Sequence, residues 1–179
     1  MKKLFIILSI ITLSFSGYSQ ESVRNFKNVR GEVTWQKVFE SELQKSTIKE
    51  YFQNSGIFKE IEITENGLRG ELRLFEPDHR GAGYSVFKAS DLIQEYYHTA
   101  FVSIQFKESR YRVTINKITL TKKIDNSSGS HGSIELLNGH AITNKGLFGR
   151  LFIKNSVPIY DYTFLKMFEP KNIGTDDDW

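Results

Sequence analysis

The chain has 179 residues, 39% hydrophobic and 25% charged, with fourteen Phe, eight Tyr and no cysteine. That length fits one domain with short extensions, and the aromatic content favours a core built on β-sheet. The formal charge is +3, but Lys2 and Lys3 supply two of those charges; the remainder holds 22 basic against 21 acidic residues, or +1, which excludes the strongly basic balance of a nucleic-acid binder.

Lys2 and Lys3 precede an apolar run, LFIILSIITLSFS, over residues 4–16, too short to cross a bilayer comfortably, for which ~20 residues are needed. Gly17 and Ser19 then sit two apart, as a signal peptidase prefers. This order predicts a signal peptide over residues 1–19, cleaved to leave Gln20 first, with retention as an uncleaved anchor as the rival reading, and no transmembrane span in the mature chain. The absence of cysteine excludes a lipid anchor, a disulfide framework and thiolate chemistry. An exported domain of this kind rests on its hydrophobic core alone.

GEVTWQKVFE, residues 31–40, predicts a strand with Val33 and Trp35 on one face. Ser41 and Gln44 have the spacing of a capping box, opening a helix whose stripe is Leu43, Thr47, Ile48, Tyr51 and Phe52. Gly56 ends it as a left-handed C′ residue. Asn66-Gly67 between alternating runs predicts a hairpin with a two-residue type I′ turn, pairing Glu65 with Leu68, Ile61 with Leu72 and Glu60 with Arg73. Ile61, Ile63, Leu68, Leu72 and Leu74 then share a face. Residues 76–84, EPDHRGAGY, form a loop by composition. Residues 84–98 fit either a short helix capped by Ser90 or a strand, and the helix is preferred.

TAFVSIQF, residues 99–106, alternates, and so does the stretch after Ser109. With Glu108-Ser109 as the loop, Phe106 faces Tyr111, Ile104 faces Val113 and Val102 faces Ile115. The opposite face collects Phe101, Ser103, Gln105, Arg112, Thr114 and Asn116. Ile118 and Leu120 are out of phase with Ile115, so a bulge is expected near Asn116-Lys117. DNSSGSHGS, residues 125–133, is a loop, and residues 134–155 show no clean period. In SVPIYDYTFLKMFEP, Ser156 is a cap and Pro158 lies in the first turn of an amphipathic helix over 157–168 with Tyr160, Phe164, Met167 and Phe168 on its apolar stripe.

The element order β-α-β-β-β-β-α predicts an α+β fold, an antiparallel sheet with helices packed on one face. The division is a signal peptide 1–19, an N-terminal linker 20–28, the α+β domain 29–122, a loop and C-terminal extension 123–169, and an acidic tail 170–179. The strand Trp35-Gln36-Lys37-Val38-Phe39, the KESRYRVTI run from Lys107 to Ile115 and the acidic end Asp177-Asp178-Trp179 resemble an exported Bacteroidetes family described as a domain of unknown function with a TATA-binding-protein-like fold. The resemblance covers residues 30–122 and the tail. It implies that fold and a periplasmic or envelope location, and it implies no activity or catalytic residue.

His79, His98, His131 and His140 stand in no zinc-binding spacing. Asp78-His79-Arg80 is the most reactive-looking triplet, in a glycine-containing loop, yet adjacent side chains in an extended loop point apart. No serine elbow, phosphate loop, calcium loop or cofactor motif is legible. If helices cover the apolar face of the 99–120 hairpin, Phe101, Gln105, Arg112, Thr114 and Asn116 stand on an open face. That face is either the wet side of a one-sided sheet or a platform for a protein or a polar or anionic ligand. The expected function is therefore a non-catalytic binding or accessory module. The alternatives are a hydrolase with its site near the 76–84 loop, or a structural protein docking through its C-terminal helix.

Overall fold

A computed structural model of the chain describes residues 22–123 and 133–169. The expected signal peptide, His131, most of the 125–133 loop and the tail 170–179 lie outside the described residues. In chain order the elements are β1 (Ser22–Val23), β2 (Phe26–Val29), β3 (Glu32–Glu40), α1 (Lys45–Asn54), β4 (Phe58–Thr64), β5 (Gly67–Leu72), α2 (Asp91–Gln94), β6 (Tyr96–Lys107), β7 (Arg110–Lys122), β8 (Ile134–Leu136), α3 (Asn138–Ala141), α4 (Arg150–Asn155) and α5 (Val157–Phe168). They build one antiparallel sheet in the order β1-β2-β3-β7-β6-β5-β4, with β8 pairing to β7 beyond the end of β3. β3 and β4 are neighbours in sequence but lie apart in the sheet, so α1 carries the chain across the strands between them.

The central hairpin has the register that alternation predicts: Phe106 opposite Tyr111, Ile104 opposite Val113 and Val102 opposite Ile115. A register shift between Thr99 and Phe101, with Lys117 at φ 49°, is the expected bulge, and it returns Ile118 and Leu120 to the buried face. Val33, Trp35, Tyr111, Val113, Ile115, Val102 and Leu68 are buried on that face. Over them lie Phe52 of α1 and Tyr160, Phe164 and Phe168 of α5, all fully buried. Ring contacts join the layers: Trp35 to Phe164 at 5.5 Å, Phe52 to Tyr111 at 5.9 Å and Phe52 to Phe168 at 5.7 Å. The Tyr111 hydroxyl donates to the Phe168 carbonyl. The apolar stripe of α5 is thus spent on this chain's own sheet.

Two buried polar groups hold the layers in place. The Asp161 carboxylate of α5 accepts from Trp35 Nε1 at 2.8 Å and Asn25 Nδ2 at 2.7 Å, with the Arg24 guanidinium at 3.5 Å. A buried carboxylate needs such donors to offset its desolvation. His98 on β6 is also buried; its Nε2 lies 2.8 Å from the Tyr160 hydroxyl and its ring lies against Phe75. Burial pushes the His98 imidazole down to about 4.

Several sequence expectations change. The expected linker is strand from Ser22 onward, because Phe26 is buried against Phe152 and Phe164. α1 begins at Lys45, not after Ser41, because the Ser41 N–H still donates to the Ser109 carbonyl and keeps the chain extended there. Its N-cap is Gln44, without a side-chain cap bond; Leu43 and Thr47 are exposed, and Ile48, Tyr51 and Phe52 carry the stripe. Gly56, at φ 71°, follows the helix as expected.

The β4–β5 hairpin is slipped relative to the expected pairing. Thr64 faces Gly67, Ile63 faces Leu68, Ile61 faces Gly70 and Glu60 faces Glu71, so the loop is Glu65-Asn66. Gly67 has no positive φ, and the type I′ turn is absent. Close approach of β6 is what demands glycine here: a Cβ at Gly67 would lie 2.1 Å from the Ile104 carbonyl oxygen. Arg73 donates to the Phe58 carbonyl instead of facing Glu60, and Leu74, beyond the strand, is exposed. Ser90 precedes the short α2, as preferred for that segment, and β6 then starts at Tyr96. The Ser90 and Ser156 hydroxyls bond to each other at 2.7 Å, and neither caps its helix. The 134–155 stretch resolves into β8, α3 and α4, each too short to display a period.

Gly67→Ala is expected to destabilise by about 1–3 kcal/mol through this forced contact, while Asn66→Ala costs under about 0.5 kcal/mol. Urea midpoints of the two variants check this, and equal midpoints would contradict the β5–β6 approach.

Between pH 6.5 and 4 the unfolded chain binds a proton on His98 that the folded chain does not. Stability therefore falls as pH drops through that window, by up to about 3 kcal/mol from this residue. Urea unfolding of the parent and of His98→Gln at pH 7, 5.5 and 4 isolates that contribution; parallel losses in both would exclude His98 as their source.

Candidate functional site

Pleating decides which side chains face away from the helices. Phe101 stands opposite Asn116, Ser103 opposite Thr114 and Gln105 opposite Arg112, all on the face the helices leave open. β3 extends that face with Gln36 beside Thr114 and Val38 beside Arg112, and β5 extends it with Arg69 beside Ser103. The five expected residues, Phe101, Gln105, Arg112, Thr114 and Asn116, therefore share one surface. A polar chain crosses it: Lys27 Nζ donates to Gln36 Oε1 at 3.2 Å, and Gln36 Nε2 donates to Thr114 Oγ1 at 3.0 Å. Lys117 Nζ lies 6.0 Å from the Phe101 ring.

The hairpin end of this face holds a hollow of about 490 Å³ lined by Val38, Asn66, Gln105, Lys107, Arg110 and Arg112. Arg112 donates both Nε, at 3.1 Å, and Nη2 to the neutral amide oxygen of Gln105. Among the described residues, Lys107 and Arg110 form no ion pair. Arg69 on the same face behaves differently, gripping both carboxylate oxygens of Glu62 at 2.8 and 2.9 Å; that bond holds Glu62 below the usual carboxylate range. The hollow thus combines cations with an apolar wall from Val38, which is 44% exposed. Such a site suits an anionic group carried on an apolar body.

The far end of the face is apolar. Ile134 and Leu136 of β8 stand beside Thr121 and Thr119 and are 73% and 52% exposed, near Tyr97. Lys123 Nζ lies 5.0 Å from the Tyr97 ring.

The reactive-looking loop is occupied with its own structure. Asp78 accepts from the Gly81 N–H at 2.8 Å and from Lys166 at 3.2 Å, and the first of these bonds chiefly holds its carboxyl below the ordinary value. His79 Nδ1 meets the Tyr84 carbonyl at 2.9 Å, so the two neighbours point to different partners. His140 pairs with Glu135 at 2.7 Å, and its ring lies near Tyr96. No group of three or more His, Asp or Glu positioned for a metal occurs among the described residues.

Sequence reading missed the walls of the hollow. Alternation places Arg110 on the outward side with Arg112, although it was not singled out as a site residue, and Lys107 shares parity with Gln105, so the turn at Glu108-Ser109 was signal enough to find both. Val38 is the apolar residue out of phase in VTWQKVF. Nothing in the sequence signalled Ile134 or Leu136.

Among the described residues no helix is long and apolar enough to cross a membrane. No family model matches the chain, and no curated protein matches it. In three dimensions it is similar to a TBP-like protein from Parabacteroides distasonis, at TM-score 0.48 and 12% identity over 78% of this chain and 90% of that one. It is also similar to a DUF4468 family protein from Bacteroides ovatus, at TM-score 0.44 and 15% identity over 81% of this chain and 89% of that one.

Proposed function

We propose that the chain is an exported, non-catalytic binding or accessory module of the periplasm or cell envelope, which receives its partner on the open sheet face. The observation that carries this reading is the hollow ringed by Lys107, Arg110 and Arg112 on a pair of long strands. Arg112 and Gln105 present the polar contacts there, Thr114 and Asn116 continue the platform, and Phe101 offers aromatic contact. Export rests on the basic start, the apolar run and the small residues before Gln20. Cleavage after Ser19 leaves two residues ahead of β1.

Arg112→Ala tests the binding role. The residue is exposed, so the variant is expected to keep its midpoint within roughly 0.5 kcal/mol of the parent. Used as bait in an envelope extract of the native host, it is expected to lose a protein or small ligand that the parent and Arg69→Ala both retain. Equal capture by all three would reduce the face to wetted surface.

Export is tested by N-terminal sequencing of protein recovered from the envelope fraction, where the first residue is expected at Gln20 or within a few positions. An intact Met1 in that fraction would end this part of the reading.

A further inference from the structure

We infer that the tip of the β6–β7 hairpin is a saddle for an extended acidic peptide segment of a partner protein. The inference rests on the open-face reading above and names what that face receives. A second hollow, of about 390 Å³, lies on the other side of the tip against the start of α1, walled by Leu43, Lys45 and Ile48. Phe106, Lys107 and Arg110 line both hollows. The two hollows therefore meet at a cationic ridge.

The ridge carries a local cost. Lys107 stands directly opposite Arg110, with Arg112 two residues further along the same face, and like charges placed opposite each other destabilise a strand pair. The nearby acids offset only part of this: Glu40 faces Arg110 across the β3–β7 ladder and Glu108 sits in the turn at the edge of the second hollow, but neither closes an ion pair with the ridge. Carboxylates arriving from a partner remove that repulsion. They also offer Arg112 a charged acceptor in place of the neutral Gln105 oxygen, and charge-assisted bonds are about twice as strong as neutral ones.

The hollows select a peptide over a lone anion. Each has an exposed aliphatic wall, Val38 on one side and Leu43 on the other. Inorganic phosphate would meet the ridge and leave both walls wet. Along one face of an extended chain side chains recur about every 7 Å, so an acidic residue with aliphatic residues two positions away on either side sets its carboxylate on the ridge while the aliphatic groups enter the hollows.

The probe is a fluorescein-labelled peptide in which leucine and aspartate alternate at every second position with serine between them, with a counterpart carrying asparagine for aspartate, titrated against the mature chain by anisotropy. The acidic peptide is expected to bind at least about tenfold tighter than its counterpart and to weaken as salt rises. Lys107→Glu combined with Arg110→Glu is expected to lose about tenfold or more, as is Val38→Asp or Leu43→Asp alone, while Arg69→Ala binds as the parent does. Thermal melts confirm that each variant is folded. Equal affinity for the two peptides, or indifference to the charge reversal, overturns the inference. If inorganic phosphate shifts the amide resonances of Lys107 to Arg112 while the acidic peptide does not, the peptide inference fails and the open-face reading survives. If neither probe shifts them and Arg112→Ala captures its partner normally, both fail.

Discussion

The two-residue turn at Glu108 and Ser109 fixes the relation between the core and the exposed face. Ser109 takes φ 54°, which lets Lys107 close directly on Arg110. Side chains alternate on a strand, so this one register sends Tyr111, Val113 and Ile115 inward with Val102 and Ile104, and sends Arg110, Arg112 and Thr114 outward. A slip by one residue would exchange the two sets. The five inward side chains are each worth roughly 1.5–3 kcal/mol of burial, on the order of 10 kcal/mol in all, so no rearrangement of exposed arginines competes with that choice. The same turn reaches β3, since the Ser109 carbonyl accepts the Ser41 N–H and holds the end of that strand in the sheet.

One-sided burial of the sheet makes α5 and the first strands depend on each other. Tyr160, Phe164 and Phe168 fill the space over β3 and β7, and the helix also brings a carboxylate, Asp161, into that space. The β1–β2 turn supplies Asn25 and Arg24, and β3 supplies the Trp35 indole, so the charge is satisfied from elements far away in sequence. Phe26 then completes the apolar seal against Phe152 and Phe164. The segment just after the expected cleavage site is therefore part of the core, and residues 133–169 close over the same sheet.

How much of this was legible follows from what each segment offers a reader. The β6–β7 hairpin has a period of two on both faces, and its turn, pairing and bulge were all readable. The β4–β5 hairpin carried a strong Asn-Gly signal, but β6 approaches Gly67 too closely for a side chain, and that tertiary contact outweighed local turn preference. Ser41 and Gln44 had the right spacing for a cap, yet a backbone bond to the hairpin turn held that stretch extended. Asp161 and His98 gave no sign of their burial, because their partners Asn25 and Tyr160 lie far off in the chain. The outward set around Arg112 and Gln105 followed from alternation alone. The hollow beside it did not, since it depends on where β3 and the β4–β5 turn stand relative to the tip.

The distribution of charge gives the open face its direction. The chain beyond Lys2 and Lys3 is close to neutral, so no long-range field draws ligands to it. At physiological ionic strength a cluster of three cations is screened beyond about 8 Å and acts only near contact. On the same sheet face Arg69 is neutralised by Glu62, while Lys107 and Arg110 at the tip have no such partner among the described residues. Attraction is thereby confined to the place where Val38 and the second hollow add shape. A ligand bearing charge alone gains little there against competing salt. One that also fills the aliphatic walls adds a contribution salt does not screen, so recognition at the tip needs both parts, the carboxylates for the charge-dependent share and the packing for the share that survives salt.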